Sequence, residues 1–411
     1  MKRTFPFLPA LALFTFAAHL PGSLAANAFR AGTAVVDVTP EQWPLTLIGS
    51  FYPKPAKSVH DPLHVRALAF ENGEGRAVVV LVDVIGISRE VLDPVKERAA
   101  QATGWPAETM LVAATHTHSA PSTRATGSPA QAAFGKKLAD GMVKAITQAV
   151  EGLRPAKIGF ASDQVPDEVF NRRWRLKEGA MPLNPFGEYD KVKMNPNRNH
   201  VISPAGPIDP EVAVLDVRDS RNKPLALVAN YALHYVGGIN LGERKVSADY
   251  FGEFSRLMPW RLRVASSDDF VAMLTNGPCG DVNNIDFHGK RAPRAPFEQC
   301  RLVAAKVADA AWRATRKIET HHPDLPVAML QREVPLEWRK PSPELIKRSE
   351  EILAMSHEEQ AKLPRLAAIY ARRALAQAKR EGRADCLVQA LRIGDQAIVT
   401  FPFETFVEIG L

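Results

Sequence analysis

Short apolar runs recur along this chain and alternate with longer stretches in which apolar residues repeat with helical spacing. Several runs are continuously apolar, as in strands that are covered on both faces of a sheet. The predicted strands are Ala34–Val38, Val65–Phe70, Ala77–Val84, Met110–Ala114, Val212–Val217, Leu225–Leu233, Phe270–Leu274, Val327–Arg332, Val388–Ile393 and Gln396–Phe401. Helices are predicted between them, for example at Arg89–Ala102 and Pro129–Leu153. This alternation predicts an α/β fold with a mixed, mostly covered β-sheet core flanked by helices.

Two segments interrupt the alternation. Residues 166–207 are rich in Asn, Arg, Pro and Gly and have little periodicity, which indicates a long surface excursion. Such excursions are uncommon unless they serve a site. Residues 341–382 are strongly charged and helical in pattern, with Pro341 and Pro343 before them and Gly382 after. We expect a helical insertion between strands there, not an independent domain.

The N-terminal segment has the pattern of an export signal. Lys2 and Arg3 precede an apolar run from Phe5 to Ala18, and Ser23-Leu24-Ala25 supplies a small-residue cleavage site. The run is shorter than the roughly 20 residues that span a bilayer, which favours a cleaved signal peptide at residues 1–25 over an uncleaved membrane anchor. We therefore expect residues 26–411 to form one secreted or periplasmic domain.

The charge of the chain is mildly basic. Its 411 residues carry a formal net charge of +7, and removal of residues 1–25 takes away two positive charges and leaves +5. Lys and Arg form no block with interleaved aromatic residues, so no nucleic-acid partner is indicated, and no protein partner is indicated either. The charge leaves open a peripheral contact with an anionic membrane surface or an acidic substrate, although an ordinary soluble basic protein is the simpler interpretation.

The cysteines argue against one class of site. Cys279, Cys300 and Cys386 include no Cys-x-x-Cys pair, so cysteine-ligated zinc is not expected. An odd number permits at most one internal disulfide and leaves one thiol free.

A pair of histidines follows one of the apolar strands. Met110–Ala114 runs directly into Thr115-His116-Thr117-His118-Ser119. If the chain stays extended there, both imidazoles point to one side and can share a metal ion, or one binds while the other handles protons. Taken alone, the pair fits hydrogen-bonded surface histidines equally well.

Three further strands also deliver ligand-type residues at their carboxyl ends. These residues are His234 after Leu225–Leu233, Asp281 after Phe270–Leu274, and Glu404 after Gln396–Phe401. Sites in α/β sheets form outside the carboxyl ends of strands. One shared site explains the four coincidences better than four unrelated solvated residues.

Taken in order, these stretches resemble the N-terminal catalytic domain of the neutral/alkaline non-lysosomal ceramidase family. The resemblance covers nearly all of the chain after residue 25. The stretches that carry it are Gly32-Thr-Ala with Thr39-Pro40, Thr115-His-Thr-His-Ser-Ala-Pro121, Asn171-Arg172, Leu233-His234, Val246-Ser-Ala-Asp249-Tyr-Phe-Gly252, Gly280-Asp281-Val282 and Pro402-Phe403-Glu404-Thr405-Phe406.

The resemblance implies one zinc ion held by His116, His234 and Glu404. Two histidines and one carboxylate leave an open position for water, whose pKa zinc lowers to about 7. The resemblance further implies that His118 and Asp281 manage protons and orient groups near the metal.

The same resemblance implies that Asn171 and Arg172 bind substrate. The planar donor fork of Arg172 suits an anionic oxygen, but a solvated loop arginine is the competing interpretation.

The chain departs from the family pattern at the nucleophile. The family has a serine after the Gly-Asp-Val turn, whereas this chain has Asn283 and Asn284. An amide cannot form the acyl intermediate, so either metal-bound water attacks directly or Asn283 positions the substrate. Cys279 is interpreted as a small buried thiol, not as a replacement nucleophile.

The end of the sequence is the second departure. It stops at Leu411, before the family's tyrosine ligand and its immunoglobulin-like domain, so we expect the ceramidase-like catalytic domain at residues 26–411 to be C-terminally incomplete. His60 and His64, on either side of Asp61, are interpreted as a structural pair that could also support the site.

Together these features predict an exported zinc-dependent hydrolase that cleaves amide bonds of a small-molecule or lipid N-acyl substrate with metal-activated water. The alternative is a non-catalytic exported binding protein that keeps the ceramidase-like fold and the metal pocket.

Overall fold

The computed structural model describes residues 28–73, 75–125, 127–237, 244–265, 269–289, 291–292 and 294–411. The predicted export signal at residues 1–25 lies outside the described residues. None of the described helices combines the length and the apolar composition that crossing a membrane requires.

The strands occupy most of the positions that the apolar runs predict. In chain order they are β1 (Arg30–Asp37), β2 (Leu45–Leu47), β3 (Lys54–Ala56), β4 (Ser58–Val59), β5 (His64–Asn72), β6 (Gly75–Val82), β7 (Met110–Ala114), β8 (Arg154–Gln164), β9 (Phe170–Asn171), β10 (Arg173–Leu176), β11 (Lys193–Met194), β12 (Val201–Pro204), β13 (Glu211–Asp219), β14 (Pro224–Tyr231), β15 (Lys245–Val246), β16 (Val271–Asn276), β17 (Val282–Asn283), β18 (Val327–Glu337), β19 (Arg383–Ile393) and β20 (Gln396–Thr400). The α-helices are α1 (Arg89–Thr103), α2 (Pro129–Glu151), α3 (Asp249–Leu262), α4 (Glu298–Thr315), α5 (Pro343–Ala354), α6 (His357–Ala361) and α7 (Ala367–Ala378).

The central sheet has eight strands in the order β16-β14-β13-β8-β1-β5-β6-β7, and its two halves share one topology. In the first half β1, β5 and β6 are antiparallel neighbours, and β7 returns parallel to β6 after α1. In the second half β8, β13 and β14 repeat this pattern, and β16 returns parallel to β14 after α3. One further helix follows each half, α2 and α4 respectively. The sheet is therefore mixed, as predicted.

Helix α2 shows how the sequence builds the covered face of the first half. The Ser128 side chain accepts a hydrogen bond from the Gln131 backbone N–H, and Pro129 opens the helix with a φ that is already helical. Phe134, Leu138 and other apolar residues of one helix face are buried in the same cluster as the β5 and β6 side chains that point toward α2.

The opposite face of the sheet is covered by a second, three-stranded sheet of β18, β19 and β20. Val327, Leu391 and Ile393 pack into one buried cluster with apolar residues from both halves of the main sheet. Helices α5, α6 and α7 connect β18 to β19, which pair antiparallel along their whole length. The predicted helical insertion is therefore confirmed, and it leaves the β18–β19 pairing intact.

Two features differ from the prediction. Strand β8 joins the halves of the main sheet and was not predicted, because Lys157, Ser162 and Asp163 break up its apolar run. The segment 166–207 contains β9, β10, β11 and β12 in place of an irregular excursion. These strands are short and pair with each other or with β17, so they produce no periodic pattern in the sequence.

Candidate metal centre

His116, His118 and His234 meet where the carboxyl ends of β7 and β14 converge. The Nε2 atom of His118 lies 3.2 Å from Nε2 of His116 and 3.1 Å from Nε2 of His234. Among the described residues, these three form a group of metal-ligating side chains whose ligand atoms all lie within 4.8 Å of one another. The sequence-based prediction that separate strand ends share one site is consistent with this geometry.

The local backbone differs from the extended chain on which the prediction for the histidine pair was based. His116 has a φ of 65°, in the left-handed region, so the chain turns directly after β7. The planes of the two rings are 82° apart, and their Nε2 atoms still converge. A strained backbone at a non-glycine residue is typical of functional sites, where surrounding contacts hold it in place.

Each histidine is oriented by a backbone carbonyl on its other nitrogen. The Nδ1 atoms of His116, His118 and His234 lie 2.6, 2.7 and 3.1 Å from the carbonyl oxygens of Ile85, Gly49 and Cys279 respectively. A carbonyl can only accept, so Nδ1 carries the proton in each contact and Nε2 of the neutral ring is bare. This arrangement is common for metal-binding histidines.

Glu404 brings a carboxylate to the same point. Its Oε1 lies 3.3 Å from Nε2 of His116 and its Oε2 lies 3.9 Å from Nε2 of His234, while 53% of the side chain is exposed. The contact with His116 is the main cause that lowers the pKa of Glu404 below its usual range, so this group is a carboxylate at neutral pH.

Burial keeps two of the rings uncharged. Burial, together with the charge of His116, lowers the pKa of His118 to about 4. Burial also lowers the pKa of His234, and the positive charge of Arg172 adds to that effect. Both rings are therefore neutral at pH 7, with their bare nitrogens facing each other.

The donor set fits a divalent cation. Three histidine Nε2 atoms and a carboxylate oxygen converge at these distances, and a proton between His116 and Glu404 can satisfy only that pair, whereas one cation contacts all four donors. In a tetrahedral zinc site with Zn–N bonds of about 2.05 Å, two nitrogens lie roughly 3.4 Å apart. The spacings of 3.1 and 3.2 Å, both measured from His118 Nε2, are close to that value, and so is the 3.3 Å between His116 Nε2 and Glu404 Oε1.

Two glycines permit the close approach of the segments that hold the cluster. A Cβ atom on Gly280 would lie 2.2 Å from the backbone oxygen of Glu404, and the Gly280 N–H donates to the Thr405 carbonyl at 2.8 Å. A Cβ atom on Gly49 would lie 2.3 Å from the backbone oxygen of His118. Neither position can carry a larger residue without displacing a site segment.

Asp281 is buried in a polar network beneath the site. Its side chain is 0% exposed and lies 2.7 Å from the Arg173 guanidinium. Its oxygens also accept hydrogen bonds from the Asn171 side chain at 2.9 Å and from the Val407 N–H at 3.0 Å. Both oxygens are occupied, so these contacts support a structural role for Asp281 and do not favour its predicted role in proton transfer.

The predicted substrate residues Asn171 and Arg172 have different surroundings. Asn171 is buried, and its side chain joins Asp281, the Pro207 carbonyl and the Arg173 N–H, which leaves it little capacity for substrate. Arg172 donates from Nη2 to the Gly280 carbonyl at 2.6 Å, while its Nε is buried without a hydrogen-bond partner. Of the two, Arg172 is the residue whose donor capacity is not filled by the described residues.

The turn after Asp281 carries no free nucleophile among the described side chains. Asn283 donates to Asn195 and accepts from the Ile285 N–H, and Asn284 binds Glu168, Arg291 and Gln299. Cys279 is buried, and burial raises the pKa of its thiol to about 12. It is therefore the small buried thiol that the sequence suggested, and its carbonyl, not its sulfur, serves the site.

Sequence reasoning missed several residues that support the cluster. Ile85 and Gly49 act through backbone oxygens, for which the sequence carries no signal. Tyr235 stacks on His118 with 3.7 Å between ring centroids and an interplanar angle of 17°. Its position directly after His234 was the one available hint.

Fold and site together define an α/β protein with a cluster of three histidines and a carboxylate, a candidate cation site, at the carboxyl ends of its strands. The model of the neutral/alkaline non-lysosomal ceramidase N-terminal domain matches residues 29–315, which is more than half of the chain. The chain belongs to this family, as the sequence motifs indicated.

Solved structures share the fold. A crystal structure of neutral ceramidase from Pseudomonas aeruginosa is 17% identical with a TM-score of 0.64, and a ceramidase complexed with C2 is 18% identical with a TM-score of 0.62. Each match covers 91% of this chain, but the chain spans only 62% and 63% of the two ceramidase chains. No curated protein matches the sequence.

Proposed function

We propose that this protein is a metal-dependent hydrolase that cleaves amide bonds of N-acyl compounds. Family membership supports the reaction class, and the convergence of three histidine nitrogens and one carboxylate supports the metal. Ceramide-type N-acyl lipids are the first substrates to test, because the two structures described above are ceramidases.

The proposed ligands of a zinc ion are His116, His234 and Glu404. A catalytic zinc site keeps three protein ligands and an open position. The choice of these three follows the family resemblance and not the spacing, and it leaves His118 as the neighbouring group that exchanges protons. Zinc bound there supplies a Lewis acid and lowers the pKa of bound water to about 7.

The chain's own groups would orient the substrate and move the proton. The His118 Nε2 is a bare acceptor at neutral pH, and stacking on Tyr235 fixes its ring plane. The Arg172 guanidinium, whose hydrogen-bonding capacity is only partly used, would stabilise the oxygen of a substrate amide through its positive charge. Asp281 supports this arrangement indirectly, because its backbone oxygen accepts from the Arg172 N–H at 2.8 Å.

Water is the proposed nucleophile. The side chains of Asn283 and Asn284 are occupied by hydrogen bonds, and the Cys279 thiol is buried and protonated. None of these groups can form an acyl intermediate as a serine would. A direct attack by water needs no such residue.

The same observation favours one competing function. A member of this family without a nucleophilic side chain could use the pocket for binding alone. Retention of His116, His234 and Glu404 argues for catalysis, because a binding pocket has no need of these three catalytic ligand positions.

The test combines metal content with turnover. Zinc stoichiometry should be one per chain in the wild-type protein and close to zero in His116→Ala; unchanged metal content in the variant would refute the ligand assignment. Turnover of a panel of N-acyl substrates, with and without a chelator, separates the two functions. Zinc binding with no turnover of any N-acyl substrate would favour the binding protein.

Export is proposed from the sequence alone. Lys2, Arg3 and the apolar run that follows predict cleavage after Ala25. N-terminal sequencing of protein from the culture medium or the periplasm should find Ala26 as the first residue.

A further inference from the structure

The stretch Ser247-Ala248-Asp249 links the two halves of the fold directly behind the histidine cluster. It follows β15 directly, ends at the first residue of α3 and touches both segments that carry the cluster histidines. Neither the metal ligands nor the proposed proton transfer use it.

On one side, the stretch holds the backbone around His118. The Thr117 hydroxyl donates to the Ser247 carbonyl at 2.8 Å, and the Ser247 N–H donates to the Ser119 carbonyl at 2.9 Å. The residues immediately before and after His118 are therefore both tied to Ser247, and all three partners are buried.

On the other side, Asp249 holds the backbone that follows His234. Its carboxylate accepts from the Val236 N–H at 3.2 Å and from the Gly237 N–H at 2.7 Å. These two amides belong to the residues directly after Tyr235, whose ring stacks on His118. Asp249 thus fixes the course of the backbone after His234 and the position of the Tyr235 ring that supports His118.

The stretch is itself held from outside. The Ser247 hydroxyl donates to Asp61 Oδ2 at 2.5 Å, the Ala248 N–H donates to Asp61 Oδ1 at 2.7 Å, and the Asp249 N–H donates to the Ser247 hydroxyl at 3.0 Å. Asp249 is 1% exposed and has a φ of 57°. A buried carboxylate on a strained backbone costs stability, and such a feature persists where surrounding contacts over-determine it.

We propose that Thr117 and Asp249, joined through Ser247, are positioning residues that set the spacing of the His118 and His234 rings for the metal. The inference rests on the proposed function, since the metal is the group whose geometry they serve. Removing either contact lets one histidine segment shift against the other while all the ligands remain present.

The test uses matched variants of the whole protein. Thr117→Val removes the hydroxyl at nearly constant shape, and Thr117→Ser retains it. Asp249→Asn keeps one carbonyl acceptor and loses the other, so it cannot accept from both backbone amides. Asp216→Asn is the control, because Asp216 on β13 is also 0% exposed and is paired with Arg218 and His321. Neither of these partners among the described residues belongs to a cluster segment.

Two measurements are made on each variant. The zinc dissociation constant, from competition with a chelating dye, should weaken about 10- to 100-fold in Thr117→Val and Asp249→Asn, the range that loss of groups supporting metal ligands produces. The zinc dissociation constants of Thr117→Ser and Asp216→Asn should stay within about 3-fold of wild type. The first variant keeps the hydroxyl that binds Ser247, and the second changes a residue that does not support the histidine segments. Ring ¹⁵N NMR of the metal-free protein should show mixed tautomers for His118 or His234 in the two disruptive variants only.

The outcomes separate the two proposals. The positioning role would be overturned if Thr117→Val and Asp249→Asn gave the same zinc dissociation constant and the same NMR tautomers as Asp216→Asn. A wild-type protein that binds no zinc would refute the proposed function, and the metal-free NMR then decides the positioning role alone. If Asp249→Asn does not fold, the comparison of Thr117→Val with Thr117→Ser decides it.

Discussion

Replacing Asp281 by asparagine distinguishes a structural role from a catalytic one. The substitution keeps the shape of the side chain and removes its charge. The substitution leaves Arg173 without its buried anionic partner. It also places an amide N–H₂ against a group that is itself a donor, either the Asn171 side chain or the Val407 N–H. The structural role predicts that the variant is less stable than the wild-type protein, whatever its effect on catalysis.

The magnitude follows from the contacts. Breaking a buried ion pair by removing one partner costs about 3–5 kcal/mol. Arg173 also pairs with Glu408, and its side chain is 17% exposed, so part of its charge stays compensated. We therefore expect a loss near the lower end, about 3 kcal/mol, in the free energy of unfolding.

Urea unfolding followed by circular dichroism measures this change, with Asp286→Asn as the control. Asp286 caps a turn by accepting from the His288 and Gly289 N–H groups, and no ion pair of a described residue involves it. The control should lose less than about 1 kcal/mol, the net value of an ordinary hydrogen bond. Asp281→Asn with unchanged stability but abolished turnover would refute the structural interpretation and restore Asp281 as a proton-transfer group.

Three further outcomes are expected. His118→Ala should retain zinc and lose turnover, whereas zinc loss equal to that of His116→Ala would make His118 a ligand. Gly280→Ala should weaken zinc binding and cost about 1–3 kcal/mol by displacing the Glu404 backbone, while Gly86→Ala, whose Cβ would meet nothing within 4 Å, should do neither. Burial raises the pKa of Asp61 to about 7, so its folded form holds a proton that the unfolded chain releases near pH 4. Stability should therefore fall as pH rises from about 4 to 7, by at most about 4 kcal/mol, and Asp61→Asn should remove that slope in urea titrations.

The elements that the sequence revealed are those whose residues interact locally or point to one core. Apolar runs and the capped start of α2 located most strands and helices, and the ligand-type residues were visible because each follows a strand directly. The duplicated topology was not visible, since the two halves share an arrangement of strands without a repeated sequence pattern.

The roles of individual site residues were harder to predict, because they depend on partners far along the chain. Asn283 looked available in the sequence, but its side chain is bound to Asn195, 88 positions away. Asn171, Arg172 and Arg173 are consecutive, yet the first and last hold Asp281 from below while Arg172 reaches the Gly280 carbonyl. Nothing in the local sequence indicates which partner each of these three side chains binds.

The origin of the four donor atoms has a consequence for the assembly of the fold. His116 and His118 come from the first half of the main sheet, His234 from the second half, and Glu404 from the segment after β20 in the other sheet. The full donor set therefore exists only when these three parts are docked, and a cation that needs the full set stabilises the docked state over any undocked one. At a zinc concentration 1,000 times the dissociation constant, that linkage amounts to about 4 kcal/mol. Because Glu404 is half exposed and its segment approaches Gly280 backbone to backbone, the metal would contribute most where the protein's own packing is weakest.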